Sequence, residues 1–139
     1  MVDRDIVLAK IASIRRHLER IQEATHGKPE SLDTLDVQDI FVLNLQRAVQ
    51  AAIDLAAHIV ADEKLGLPDS LKENFVFLEK TQIIQSSLCK RLQAMVGFRN
   101  IAIRDYDRLD VNVLKALLQH HLVDLEEFTK VVAQRYHVA

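Results

Sequence analysis

Within the eight residues Arg99-Asn100-Ile101-Ala102-Ile103-Arg104-Asp105-Tyr106 the chain carries two guanidinium groups, a carboxamide, a carboxylate and a phenol, set in otherwise apolar helical sequence. A guanidinium presents its N–H donors as a planar fork that matches phosphate oxygens, which an ammonium does not. Two of them so close together suit binding of a phosphodiester. They do not suit proton transfer, because arginine stays protonated at physiological pH. The plainer alternative is a solvated charge pair beside Asp105 and Asp107, since charge runs usually face water. Read locally, Asn100 is a residue for a helix end and Tyr106 a half-buried packing residue.

The spacing limits the geometry. Arg99 and Arg104 are five residues apart, which at about 100° per residue leaves them about 140° apart on a regular helix. A shared site within one chain therefore requires the helix to end between them or a bulge to re-aim one of them. Gly97 before the pair, with Asp105 and Asp107 after it, is compatible with such an end. Irregular backbone in such a place is commonly functional.

Other polar candidates are weaker. His58 follows Asp54 by four residues and shares its helical face, which predicts an Asp–His pair; a metal site would need further ligands that the sequence does not offer. His17, His26, His120, His121 and His137 lack evident partners and read as structural or exposed. Lys90, Arg91 and Arg108 flank the arginine motif and would extend a basic cleft. The one cysteine, Cys89, sits near Leu88 and Leu92 and reads as a buried helical residue. A single cysteine forms no internal disulfide and fits a reducing compartment.

The elements that position these residues are helical. At 139 residues, with 49% hydrophobic and 27% charged residues, the chain is expected to be one soluble domain over 1–139. A formal net charge of −2 gives no global attraction to nucleic acid, so any RNA contact must come from a local cluster. The charged start Met1-Val2-Asp3-Arg4-Asp5 leads into no signal-peptide core, and no apolar run is read as a membrane span; a cytoplasmic location is expected. Ile6, Ile11, Ile14, Leu18 and Ile21 stripe a first helix ending near Ala24, before the breaker cluster Thr25–Pro29. A second helix capped by Asp33 or Asp36 runs to about Leu65 and is rich in alanine at 48, 51, 52, 56 and 57. Its apolar residues spread so widely that it must be packed on several sides, as the central helix and part of a dimer face. A short third helix starts at Pro68-Asp69-Ser70, a fourth leads into the motif, and Asp110 caps a last one. The expected fold is an all-α antiparallel bundle of about five helices.

With these helices in place, Gly97-Phe98-Arg99-Asn100-Ile101-Ala102-Ile103-Arg104-Asp105-Tyr106 resembles the signature of the HepT-like toxins of the HEPN superfamily. That signature is an arginine, usually followed by asparagine, a histidine five residues after the arginine, then any residue and a tyrosine. Asn44–Gln50, leading to Ile53–His58, resembles the second helix of the same family, and helix order and length agree over essentially the whole chain. The resemblance implies a homodimeric, metal-independent ribonuclease without a cofactor of its own, its motif in a cleft between subunits. It also implies an MntA-like nucleotidyltransferase antitoxin that uses ATP and Mg²⁺ to transfer AMP to the motif tyrosine. On that pattern Arg99 and Asn100 are catalytic residues and Tyr106 is the AMP acceptor. Two nearby guanidinium groups would favour its phenolate.

One position departs from the signature: residue 104 is arginine where the family has histidine. General acid–base catalysis works best with a group titrating near ambient pH. Arg104 therefore keeps phosphate binding and removes the proton shuttle, so low activity is expected. Two origins fit, natural degeneration or a substitution that let a toxic protein be expressed. The competing functional classes are a catalytically inert helical module that binds RNA, a nucleotide or the antitoxin, and a plain helical dimerisation domain.

Overall fold

The structure, a computed structural model, describes residues 2–138. Among them there are six α-helices, two short 3₁₀ turns and no strand. Helix α1 spans Arg4–Thr25, α2 Leu35–Asp62, α3 Leu71–Lys80, α4 Ser86–Arg104, α5 Val111–His120 and α6 Leu122–Arg135. The 3₁₀ turns are Pro29–Asp33 and Tyr106–Arg108.

Local chemistry sets most boundaries. Asp3 caps α1 by accepting from the Asp5 N–H at 2.9 Å. His26 ends that helix in the left-handed region, at φ 52°. The cap of α2 is Thr34, whose hydroxyl accepts from the Val37 N–H at 3.4 Å, and not Asp33 or Asp36. Asp33 instead closes the preceding 3₁₀ turn and pairs with Lys115 at 2.7 Å. Ser70 caps α3, while Glu73 reaches back to accept from the Asp69 N–H. Asp110 caps α5, accepting from the Asn112 N–H at 2.8 Å.

Helix α2 is the central element, as its apolar spread requires. It packs against α1, α3, α4, α5 and α6, and its alanines at 48, 52 and 56 are fully buried. It is long and apolar enough to cross a membrane by length and composition only, but most of that stretch is buried within the bundle, as in a core helix. Helix α1 runs antiparallel to it. His17 meets Asn44 at 3.1 Å, and Lys10 meets Asp54 at 3.5 Å one end further on. Phe41, Phe75 and Phe128 fill the middle of the core, the last two edge to face with centroids 5.6 Å apart.

The expected last helix is in fact two. The backbone departs from helical geometry at His121 (φ −121°, ψ −11°). The break lets α5 lie against the 3₁₀ turn Pro29–Asp33 while α6 turns back onto α1, α2 and α4. It also turns Asp124 inward. There it is 2% exposed and ion-paired to Arg91 at 2.6 Å.

Candidate functional site

Neither an early end nor a bulge separates the two arginines. Helix α4 is continuous through both, Gly97 lies inside it, and Asp105 closes it by donating its N–H to the Ile101 carbonyl at 2.8 Å. A Cβ on Gly97 would meet only Lys72 Nζ, at 3.8 Å, so no steric demand forces a break there. Arg99 and Arg104 therefore diverge by about 140° around one helix. One chain does not bring them together.

Their surroundings differ. Arg99 is half-buried one turn from the core residue Ala102. Its Nη1 donates to Asn100 Oδ1 at 2.9 Å, so Asn100 orients the guanidinium and does not cap the helix. Arg99 Nε is buried and has no partner among the described residues. A buried donor left unmade costs about 1–3 kcal/mol, and an anionic oxygen would satisfy it. Arg104 is exposed in the last turn of α4, where the helix dipole favours a cation, and it has no ion pair among the described residues.

Tyr106 begins the 3₁₀ turn after α4 and is 43% exposed. Its hydroxyl donates to Asp39 Oδ1 in the first turns of α2. Partial burial, then this hydrogen bond and the negative charge of Asp39, push the phenol up to about 12 from its ordinary 10.0. The expectation that neighbouring cations would favour the phenolate is thus overturned. The group facing the phenol is a carboxylate, and among the described residues no guanidinium is hydrogen-bonded to it. Asp39 is a site residue that the sequence did not reveal, since it lies 67 residues from its partner.

The flanking candidates sort by their partners. Arg91 is committed to Asp124 at 2.6 Å and to Glu127 at 2.9 Å, so it does not extend a basic cleft. Arg108 lies 3.5 Å from Asp105, highly exposed, and Lys90 is exposed. His58 faces Asp62, 3.3 Å away, and not Asp54. Asp54 is taken by Lys10 and by Gln50, whose Nε2 donates to it at 2.8 Å. His17 has a partner after all, Asn44. Cys89 is buried, and burial pushes its thiol up, which disfavours the thiolate. Among the described residues no group of three or more histidine, cysteine or carboxylate side chains is placed to hold a metal ion.

Three comparisons bear on this arrangement. The family described as "Ribonuclease HepT-like" matches residues 14–132. The chain is 39% identical over 128 residues to an mRNA nuclease HepT of Shewanella oneidensis, covering 92% of this chain and 96% of that protein. It is 31% identical over 108 residues to a tRNA nuclease HepT of Aphanizomenon flos-aquae, covering 77% and 74%. Its fold superposes with a TM-score of 0.88 on a tri-AMPylated Shewanella oneidensis HEPN toxin solved in complex with its MNT antitoxin, at 39% identity over 94% of this chain and 98% of that one. The match spans all the helices that carry Arg99, Asn100, Arg104, Tyr106 and Asp39, and on that extent the chain belongs to the HepT-like ribonuclease family.

Proposed function

We propose that this chain is the toxin of a toxin–antitoxin pair, an RNA-cleaving enzyme of the cytoplasm silenced when a small nucleotidyltransferase transfers AMP to Tyr106. The observation that carries the reading is the buried, unpartnered Nε of Arg99 beside Asn100, an anion-seeking group in a chain that is 39% identical to an mRNA nuclease. The antitoxin part draws on the likeness to the AMPylated toxin solved with its MNT antitoxin.

In this reading Arg99 binds the scissile phosphate and Asn100 fixes its orientation. Arg104 adds a second cation that spreads charge on the phosphorane-like transition state. The 140° divergence of the two arginines within one helix favours a homodimer, in which Arg99 of one copy and Arg104 of the other face a shared cleft. No metal or cofactor belongs to the chain's own reaction. With arginine at 104 no side chain of the motif exchanges a proton near neutral pH, so cleavage is slow. That same residue favours the second reading, an inert module that still binds RNA or the antitoxin.

AMP transfer uses different groups. The Tyr106 oxygen attacks the α-phosphorus of ATP held with Mg²⁺ on the antitoxin, and pyrophosphate leaves. Asp39 Oδ1 already accepts the hydrogen bond from the phenol. It is thereby placed to take the proton that the phenol, held up to about 12, does not release unaided. The added phosphate then occupies the guanidinium site in place of RNA. The test is expression in cells. Arg104→His should arrest growth, Arg99→Ala in that background should relieve the arrest, and the cognate nucleotidyltransferase should relieve it only while Tyr106 is present. Growth unaffected by Arg104→His would contradict the toxin reading.

A further inference from the structure

A groove between α1 and α2 lies outside the arginine motif. It has a volume of about 360 Å³ and is lined by Arg16, His17, Arg20, Leu43, Asn44 and Arg47, with no carboxylate among its lining residues. The three arginines are exposed, and none forms an ion pair or hydrogen bond with another described residue. In a chain whose formal charge is −2, three unneutralised guanidinium groups in one groove are a local field of the sign that attracts phosphate.

The groove also has an ordered polar floor. The Asn44 amide donates through Nδ2 to the Ile40 carbonyl at 2.8 Å, which turns Oδ1 toward His17. His17 Nδ1 lies 3.1 Å from that oxygen and must carry the hydrogen between them. In the neutral ring this leaves Nε2 as an acceptor.

Its position is continuous with the site. Asp39, which holds Tyr106, Leu43 and Arg47 follow one another at four-residue intervals along α2. From Asp39 to Arg47 the helix rises about 12 Å, a span of a few nucleotides. The antiparallel register set by His17 and Asn44 places Arg20 level with the Asp39 end and Arg16 nearer Arg47.

We propose that this groove is a subsite for the backbone of single-stranded RNA flanking the scissile bond, with Arg16, Arg20 and Arg47 on successive phosphates and His17 Nε2 accepting from a ribose 2′-hydroxyl. It rests on the ribonuclease reading and extends it. A protein surface rich in carboxylates would fit the arginines but would not use the imidazole acceptor; the 2′-hydroxyl is what distinguishes RNA from DNA at such a position.

The test is equilibrium binding of the full chain to a labelled single-stranded RNA, and to DNA of the same sequence, by fluorescence anisotropy across a salt series. Each phosphate contact on a single strand contributes about 0.7 to the slope of log K against log salt. The triple variant Arg16→Ala/Arg20→Ala/Arg47→Ala should lose about 2 from that slope, with an unchanged helical circular dichroism spectrum. His17→Phe should leave the slope and abolish the preference for RNA over DNA. Parent and triple variant with equal slopes would overturn the subsite while leaving the ribonuclease reading standing. So would a triple variant that keeps RNA binding and loses the nucleotidyltransferase, which would make the groove a protein interface. A parent that binds no RNA at all would sink both.

Discussion

Arg104→His separates the two halves of the site, phosphate binding and proton transfer. Residue 104 is the last residue of α4, is exposed, and makes no ion pair among the described residues, so an imidazole enters without a clash. The difference in helix propensity is a few tenths of a kcal/mol, too little to disturb the fold. A cation in the last turn of a helix gains about 0.3–1 kcal/mol from the dipole. At 1.36 kcal/mol per pH unit, that raises the introduced imidazole by about 0.2–0.7 from its ordinary value of about 6.5. It would therefore titrate near neutrality, where general acid–base catalysis contributes about 10²–10⁴-fold. Cleavage of a labelled RNA at pH 7, followed on a gel under single-turnover conditions, should rise at least about 100-fold over the parent. The rate–pH profile should gain a limb near pH 7 that the parent lacks. Arg104→Gln supplies no titrating group and should remain at or below the parent rate. A parent that cleaves as fast as the histidine variant, or a glutamine variant that gains as much, would refute the proton-shuttle argument.

Further outcomes follow from individual contacts. Asp39→Asn should move the Tyr106 titration, followed by tyrosinate absorbance in this two-tyrosine chain, down from about 12 without reaching 10, because burial remains the larger cause. Tyr106 and Tyr136, the latter raised mainly by burial and then by Glu63, are both pushed to about 12 from 10.0. The fold thus favours their neutral forms, and that stabilisation is intact below pH 10 and lost as pH climbs through about 12. Melting temperature should fall across that window, less steeply in Tyr106→Phe. Arg91→Ala strands Asp124, 2% exposed, without its principal partner. Discounted for the exposure of Arg91 itself, the cost should be about 2 kcal/mol in denaturant unfolding. Phe128→Ala opens a cavity against Phe75 and should cost about 3–5 kcal/mol in the same assay.

What the sequence disclosed and what it concealed divide along chain separation. The central place of α2 was legible because its alanines and branched residues leave no polar face broad enough for solvent. The caps at Ser70 and Asp110 were legible because a cap acts over two or three residues. His58 shows where spacing alone stops deciding: Asp54 and Asp62 flank it at the same interval, and Asp54 is held by Gln50 one turn before it and by Lys10, 44 residues away. The same holds for Arg91, drawn to Asp124 across 33 residues, and for Tyr106, drawn to Asp39 across 67. The break at His121 has no glycine or proline to announce it. It comes from tertiary packing, which turns α6 onto α1 and α4 and buries Asp124. At the motif, residue types pointed to phosphate chemistry. The unbroken course of α4 was not legible, because Gly97 and the acids after Arg104 suit a helix end as well as a helix interior.

In the proposed function Tyr106, held by Asp39, is the residue through which this ribonuclease-family chain is silenced. Intact-mass spectrometry after incubation with the cognate nucleotidyltransferase, ATP and Mg²⁺ tests it most directly. The expected result is an increment of one or more AMP units that disappears in Tyr106→Phe and forms more slowly in Asp39→Asn. No increment on the parent or on Arg104→His, with a nucleotidyltransferase shown to consume ATP, would contradict it, and so would an increment that survives Tyr106→Phe.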